Sequence, residues 1–349
     1  MMIPHITLQK DYAISRVLKG GWQLAGGHGE INRQTAINDM FTFVENGITT
    51  FDCADIYTGV EEMIGIFLQQ YRKKYGQEKT EQIKVHTKFV PDLNVLPNIN
   101  SKDVEAIIDR SLERLGLEQL HLVQFHWWDY DIPRYVETAL VLKELQKKGK
   151  ILHLAGTNFD VTHLHEIMNA GVNFLSLQVQ YSVLDHRPEK KMVEFCRAYG
   201  IHLICYGTVV GGFLSRRYLG VPEPQHPLEN RSLTKYKLII DDLGGWEYFQ
   251  LLLKTLDEIA KKHHTSIASI ASRYVLERPQ VAAVIMGARN TSHIDDTVKM
   301  FDFSFDNEDI KKLEDIFSQA KELEGDIYTL EREKAGRHAG IMKYNLNSQ

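Results

Sequence analysis

Ile83-Lys84-Val85-His86-Thr87-Lys88-Phe89, then Ser101 to Gly116 (SKDVEAIIDRSLERLG), then Leu120-His121-Leu122-Val123-Gln124-Phe125: this stretch reads as strand, helix, strand. The outer runs are short, apolar and rich in β-branched and aromatic residues. In the middle run Val104, Ile107, Ile108, Leu112 and Leu115 recur at helical spacing. Ser101 can cap its start and Gly116 its end. A strand, a helical crossover and a second strand make the two strands parallel neighbours in one sheet.

Outward from this unit the alternation repeats. Val17 to Trp22 and Thr49 to Ala54 are strand candidates before it, with a helix expected from about Glu61. After it come a helix over Pro133 to Lys148, closed by Gly149, and a strand over Ile151 to Gly156. A short helix ending near Gly171 follows, then Phe174 to Val179, a helix over Glu189 to Tyr199, and Ile201 to Cys205. Thr265 is expected to cap a helix with Ile267, Ile270, Ala271, Tyr274 and Val275 on one face, and Val281 to Met286 is the eighth strand. Eight units without a linker predict an α/β fold, a (β/α)8 TIM barrel, as one domain over residues 1–349. Its core spans about 17–317, with a long irregular loop over Gly207 to Gly245 after the seventh strand and a C-terminal tail over 318–349. No GxGxxG follows the first strand, and the spacing of Gly20-Gly21 and Gly26-Gly27 is wrong for one, which removes the main signal of a Rossmann domain.

The 349 residues are 43% apolar, enough for a large core, and the net charge is −5. That balance argues against a nucleic-acid binder, which needs concentrated Lys and Arg. The basic clusters Lys147–Lys150 and Lys261–His264 fall where helix ends are expected, and positive charge there complements the helix dipole. Cys53, Cys196 and Cys205 are odd in number and lack CxxC spacing, as expected of reduced thiols in a cytoplasmic protein. No apolar run is long enough for a signal peptide or a membrane span.

In such a barrel the chemistry sits at the C-terminal ends of the strands. The polar residues there are Asp52 with Asp55 and Tyr57, Lys88, His126, Thr157 and Asn158, Gln178 and Gln180, Tyr206, and Gly287-Ala288-Arg289. Taken singly, each has a plain explanation. An Asp can cap a turn, a His can be buried and hydrogen-bonded, a Lys can solvate its charge, and a Tyr can pack. Together at one rim, Tyr57, Lys88, Asp52 and His126 form an acid–base set. A Lys ammonium can stabilise a phenolate, and an Asp can hold the Lys. The set suits protonation of an oxygen while hydride reaches carbon, and hydride must come from a cofactor. A metal hydrolase using His86, His126 and His153 lacks the His-x-His expected near the first strand, and Lys88 sits badly beside a cation.

These residues resemble the aldo-keto reductases in order from about Val17 to Phe317. The likeness rests on Phe51-Asp52-Cys53-Ala54-Asp55-Ile56-Tyr57 with Glu61-Glu62 and Gly65, Val85-His86-Thr87-Lys88, and Leu122-Val123-Gln124-Phe125-His126-Trp127. It continues through Gly149-Lys150-Ile151, Gly156-Thr157-Asn158-Phe159, Gln178-Val179-Gln180-Tyr181-Ser182, Tyr206 with Gly211-Gly212-Phe213-Leu214, and Ile285 to Arg289. The resemblance implies a soluble reductase of carbonyl or alcohol substrates, with Tyr57 as general acid tuned by Lys88 and Asp52, and His126 positioning the carbonyl. It also implies a nicotinamide cofactor, NADP(H) ahead of NAD(H). Thr157, Asn158 and Gln178 would hold the carboxamide and Tyr206 would stack on the ring. Gly21, Trp22, Asp52, Gly207, Gly287, Arg289, His293 and Asp296 would complete the cofactor contacts. Trp22, Tyr57, His126 and Trp127 would line the substrate pocket, and no metal is implied. Channel β-subunits that sense nicotinamide cofactor resemble the same family and give the alternative function. Departures from the family pattern are His121 for Asp, Trp128 for Pro and Thr157 for Ser. Gly287 and His293 stand at the usual Lys and Arg positions for the 2′-phosphate, which leaves Arg289 as its candidate ligand.

Overall fold

The computed structural model describes residues 2–27 and 29–347. An antiparallel hairpin, β1 (His5–Gln9) and β2 (Tyr12–Ser15), precedes the barrel. The barrel strands are β3 (Val17–Gly20), β4 (Thr50–Asp52), β5 (Lys84–Phe89), β6 (Leu120–Phe125), β7 (Ile151–Thr157), β8 (Ser176–Gln180), β9 (His202–Tyr206) and β10 (Val281–Gly287). All are parallel, and β10 pairs with both β9 and β3, which closes the ring.

Side-chain alternation explains which residues meet inside. In β4, Phe51 turns outward, its ring 5.3 Å from that of Phe67 on the helix Val60–Tyr75. Thr50 and Asp52 therefore turn inward. The lower interior is apolar, built from Leu18, Leu122, Ala155 and Ile204, and the hairpin closes it with Leu8, Tyr12 and Ile14. The upper interior is polar, because Lys88 on β5, Gln124 on β6 and Gln178 on β8 all converge on Asp52. A barrel of parallel strands exposes no free edge, so its chemistry is confined to this one open end.

The surrounding helices follow the sequence pattern closely. Gly116 ends the helix Ser101–Leu115 in the left-handed region, and Val104, Ile108 and Leu115 face the core. Its cap is Asn100 rather than Ser101: the Asn100 side chain accepts from the amides of Lys102 and Asp103, and the Asp103 carboxylate answers at the Asn100 amide. Ser266, rather than Thr265, caps the helix Ile267–Leu276 in the same manner. At Gly65 a Cβ would lie 2.3 Å from the Arg114 carbonyl, so this glycine lets the helices Val60–Tyr75 and Ser101–Leu115 cross closely. Cys53, Cys196 and Cys205 are buried and unpaired. Among the described residues no helix is long and apolar enough to cross a membrane.

Two expectations need correction. The stretch 207–245 is not irregular throughout, since Arg231–Leu243 is a helix capped by Asn230 and burying Leu233, Tyr236, Ile239, Ile240 and Leu243. Its buried Lys237, paired with Glu223 and Asp241, breaks the apolar stripe that would have shown it. The tail is also structured, running back across the barrel mouth through contacts described below.

Burial beneath the site carries a cost in acid. His86 is fully buried, with Nε2 3.1 Å from the Tyr12 hydroxyl, and burial lowers its pKa to about 3. In the unfolded chain the same imidazole takes a proton near pH 6.5. The folded state therefore keeps its full stability above that pH and loses it as pH falls, by about 1.4 kcal/mol per pH unit for this one group. Urea unfolding between pH 6.5 and 5 should show this decline, and His86→Gln should remove about one proton from its slope. An unchanged slope in the variant would refute this role of His86.

Candidate active site

Asp52 ends β4 with its carboxylate inside the barrel mouth. Both of its oxygens lie 2.8 Å from Lys88 Nζ, and Oδ1 also accepts from Gln124 Nε2 at 2.8 Å and Gln178 Nε2 at 2.6 Å. The Lys88 ammonium donates further to the Cys53 carbonyl at 2.8 Å and sits 5.2 Å from the centre of the Tyr57 ring. Tyr57 stands in the loop after β4, its ring 5.2 Å from that of Trp22. Asp55 fixes that loop by accepting from the amides of Ile56 and Val90, and Thr87 donates to Glu61 at the start of the following helix.

Electrostatics keep Tyr57 protonated. Burial raises its pKa well above the ordinary phenol value, and Asp52, Cys53 and Asp55 raise it further. The Lys88 ammonium is meanwhile bonded to Asp52 and to the Cys53 carbonyl. His126 is neutral, its pKa lowered to about 3 by burial and then by the Arg332 charge. Its Nδ1 lies 3.2 Å from the Thr157 carbonyl, which can only accept, so Nδ1 carries the proton and Nε2 a lone pair. That Nε2 is buried without a partner.

The four residues open into a cavity of about 760 Å³, a size within the range of about 300–1,000 Å³ usual for cofactor sites. Thr157, Asn158, Gln178, Tyr206 and Gly207 line it on one side, and Gly287, Arg289, His293 and Asp296 line it farther along. Gln178 has committed its amide nitrogen to Asp52, which leaves Oε1 as an acceptor. Asn158, with φ +59°, gives its Oδ1 to the Tyr206 hydroxyl at 2.9 Å, which leaves Nδ2 as a donor. An acceptor and a donor together are the complement of a primary carboxamide, so these residues fit the nicotinamide that the family resemblance implies.

Two expected residues are displaced. Trp127 is fully buried away from the cavity, its indole N–H donating to the carbonyls of Asp129 and Ile132; Trp128 lines the wall in its place, its ring 4.3 Å from that of His126. The two side chains lie just past β6, and they face opposite ways. Gly21 lies behind the wall rather than on it, between Gly20 and Trp22, which do line the cavity. A Cβ on Gly21 would meet the Asp52 carbonyl and Val60 Cγ1 at 2.8 Å each.

The tail supplies what the sequence did not reveal. Arg332 donates to the carbonyls of Trp127 and Asn158 at 2.8 Å each, and Tyr328 places its ring 5.8 Å from that of His126. Buried Glu331 lies 3.4 Å from Arg187 and 3.6 Å from Lys235, whose Nζ is 5.2 Å from the Tyr206 ring centre. Asn347 reaches the Val90 carbonyl and Asp92, beside the loop of Tyr57. Gln124, by contrast, had a visible signal: a polar residue on the same strand face as Leu120 and Leu122.

Comparison with known proteins decides the family. Residues 16–317 match the Aldo/keto reductase family. The chain belongs to it. Among its relatives, the NADH-specific methylglyoxal reductase of Escherichia coli (strain K12) is 24% identical, covering 86% of this chain and 93% of that protein. The chloroplastic pyridoxal reductase of Arabidopsis thaliana is 28% identical, covering 80% and 77%. The solved glycerol dehydrogenase of Gluconobacter oxydans superposes with a TM-score of 0.74 at 22% identity, covering 93% of this chain and 97% of that one. At that identity the superposition speaks for the barrel alone. Family and relatives together make this aldo/keto reductase an oxidoreductase.

The displaced tryptophans give a direct check. Trp128→Ala should raise KM for the carbonyl substrate while leaving unfolding stability nearly unchanged. Trp127→Ala should instead cost about 3–5 kcal/mol of stability, measured by urea unfolding, as expected for emptying a buried aromatic site. The reverse pattern would restore Trp127 to the pocket wall.

Proposed function

We propose that this protein reduces aldehydes or ketones to alcohols, or runs the reverse reaction, using a nicotinamide dinucleotide, with Tyr57 as the proton donor. The reading is carried by Lys88, held between the Asp52 carboxylate and the Tyr57 ring at the mouth of the barrel. Bound in this cavity, the dinucleotide would supply hydride. The protein's residues then have to orient the carbonyl, exclude water and deliver a proton to its oxygen. Tyr57 holds that proton firmly, and an alkoxide oxygen is basic enough to take it from a phenol. Lys88 sits where it can offset the charge left on the ring. His126, with a lone pair at Nε2, can accept from the hydroxyl of the product alcohol but cannot donate to a carbonyl oxygen, which leaves Tyr57 as the donor that orients the carbonyl.

Around that position the wall is built from Trp22, Ile56, Val90, Trp128, Met342 and Leu346. Such a surface offers few partners to hydroxyl groups, and a polar substrate left unpaired there loses binding energy. Carbonyls on apolar or aromatic bodies are therefore the favoured substrates over polyols.

Dinucleotide choice rests on two opposed charges at the far end of the cavity. Arg289, on which the NADP(H) preference depends, can pair with a 2′-phosphate, whereas Asp296 repels one and accepts from a 2′-hydroxyl. The naming of the E. coli relative as NADH-specific adds weight to the second charge. If Arg289 binds the phosphate, Arg289→Ala should weaken NADPH by about 1.5–3 kcal/mol in a fluorescence titration and leave NADH unmoved. Equal losses for both would assign Arg289 to structure or to the pyrophosphate.

The proton donor is tested in single turnover. Tyr57→Phe keeps the ring and should lower aldehyde reduction by about 10²–10⁴-fold, the usual general-acid contribution, with dinucleotide affinity preserved. Lys88→Met should cost a comparable factor, and the double variant little more, because both act on one proton transfer. Reduction by Tyr57→Phe at the wild-type rate would remove Tyr57 from the mechanism. Wild-type protein that binds dinucleotide but turns over no carbonyl would favour a sensing role instead.

A further inference from the structure

Lys19 is a charged residue on β3 that the mechanism above does not use. It is 3% exposed, faces out of the barrel into the layer of helices, and lies 5.5 Å from the ring centre of Phe43. Its Nζ donates to the Gly20 carbonyl at 2.6 Å and to the Ala288 carbonyl at 2.7 Å. The second bond joins positions 269 residues apart, from the end of the first barrel strand to the segment after the last.

The Ala288 segment is one wall of the cavity. Gly287 and Arg289 line it, while Ala288 between them is buried behind it, 4% exposed. Lys19 therefore grips this wall from the back, at the one residue of the three that turns away from the cavity. From the front the same segment meets the loop that follows β3. A Cβ on Gly287 would fall 2.4 Å from Gln23 Nε2, and one on Gly29 would fall 2.9 Å from an Arg289 guanidinium nitrogen. The end of β10 and the residues after it thus run close against the loop after β3 at two points, with the Lys19 bond behind them.

We propose that Lys19 is a positioning residue for dinucleotide binding. By anchoring the Ala288 carbonyl to the end of β3, it fixes Gly287 and Arg289 against Gln23 and Gly29. The proposal rests on the nicotinamide reading given above. It is distinct from a purely structural role, in which Lys19 would satisfy two buried carbonyls with no effect on ligand affinity. A methionine could fill the same volume, but it would leave the Ala288 carbonyl without its donor and let the segment shift.

The test compares Lys19→Met with Phe43→Leu, which loosens the same packing and keeps the ammonium. Dissociation constants for NADH and NADPH are measured by fluorescence titration, and amide hydrogen exchange over 285–293 is followed without any dinucleotide. Lys19→Met should weaken the preferred dinucleotide at least tenfold and speed exchange in that segment. The turnover number at saturating dinucleotide should fall less than threefold. Phe43→Leu should lower the melting temperature without either change. If Lys19→Met does not yield folded protein, Lys19→Arg replaces it; its bulkier head displaces Ala288, so affinity should again fall. Unchanged affinity in a folded Lys19 variant, or an equal loss in Phe43→Leu, would overturn the proposal. Failure of wild-type protein to bind either dinucleotide would instead overturn the nicotinamide reading itself.

Discussion

A carboxylate inside a barrel has to be compensated, and the compensation of Asp52 organises the whole upper end of this molecule. Burying an unpaired charge of that kind costs far more than a domain's net stability can absorb. Lys88, Gln124 and Gln178 supply the donors from β5, β6 and β8, so one side chain on β4 ties together strands on opposite sides of the ring. Its backbone carbonyl adds a fourth tie, accepting from the Gly21 amide at 2.7 Å. With these bonds in place the ammonium has little freedom, and the ring of Tyr57 must lie where the loop after β4 carries it. The arrangement of side chains at this mouth is therefore a consequence of charge burial as much as of loop shape.

The tail deepens the same environment. Without Tyr328 and Arg332 across the strand ends, His126 would face water and its pKa would lie nearer the ordinary imidazole value. Arg332 does two things at once: its guanidinium joins the ends of β6 and β7 through two backbone carbonyls, and its charge disfavours a protonated His126. Glu331 next to it is buried between Arg187 and Lys235, so the tail is anchored by charge as well as by apolar contact. A low-dielectric site strengthens every interaction that a developing oxyanion would feel.

Much of this was legible in the chain before folding was considered. All eight barrel strands lie within a residue or two of the positions their patterns indicate, because β-prone runs of five or six residues separated by amphipathic helices leave little ambiguity. Asp52, Tyr57, Lys88 and His126 were identifiable by place, since each ends a strand or follows one at the same end. Trp127 was misplaced by a single position. Beyond the end of a strand the inward and outward alternation has no neighbour to enforce it; both indoles find backbone acceptors there, and Trp127 is the one that packs into the core against Phe125 and Tyr135.

The sequence by itself determined the barrel and the residue types that meet at its C-terminal end, because local periodicity and strand–helix order are properties of neighbouring residues. Only the tertiary structure decided how those groups are protonated and what covers them. The neutral His126 and the occupied Lys88 depend on burial and on partners far away in the chain, whereas Tyr57 is kept protonated first by burial and then by its sequence neighbours Asp52, Cys53 and Asp55. Arg332 and Lys19 likewise reach backbone carbonyls 174 to 269 residues distant. No pattern within a window of sequence records such distances, since they exist only once the barrel has closed.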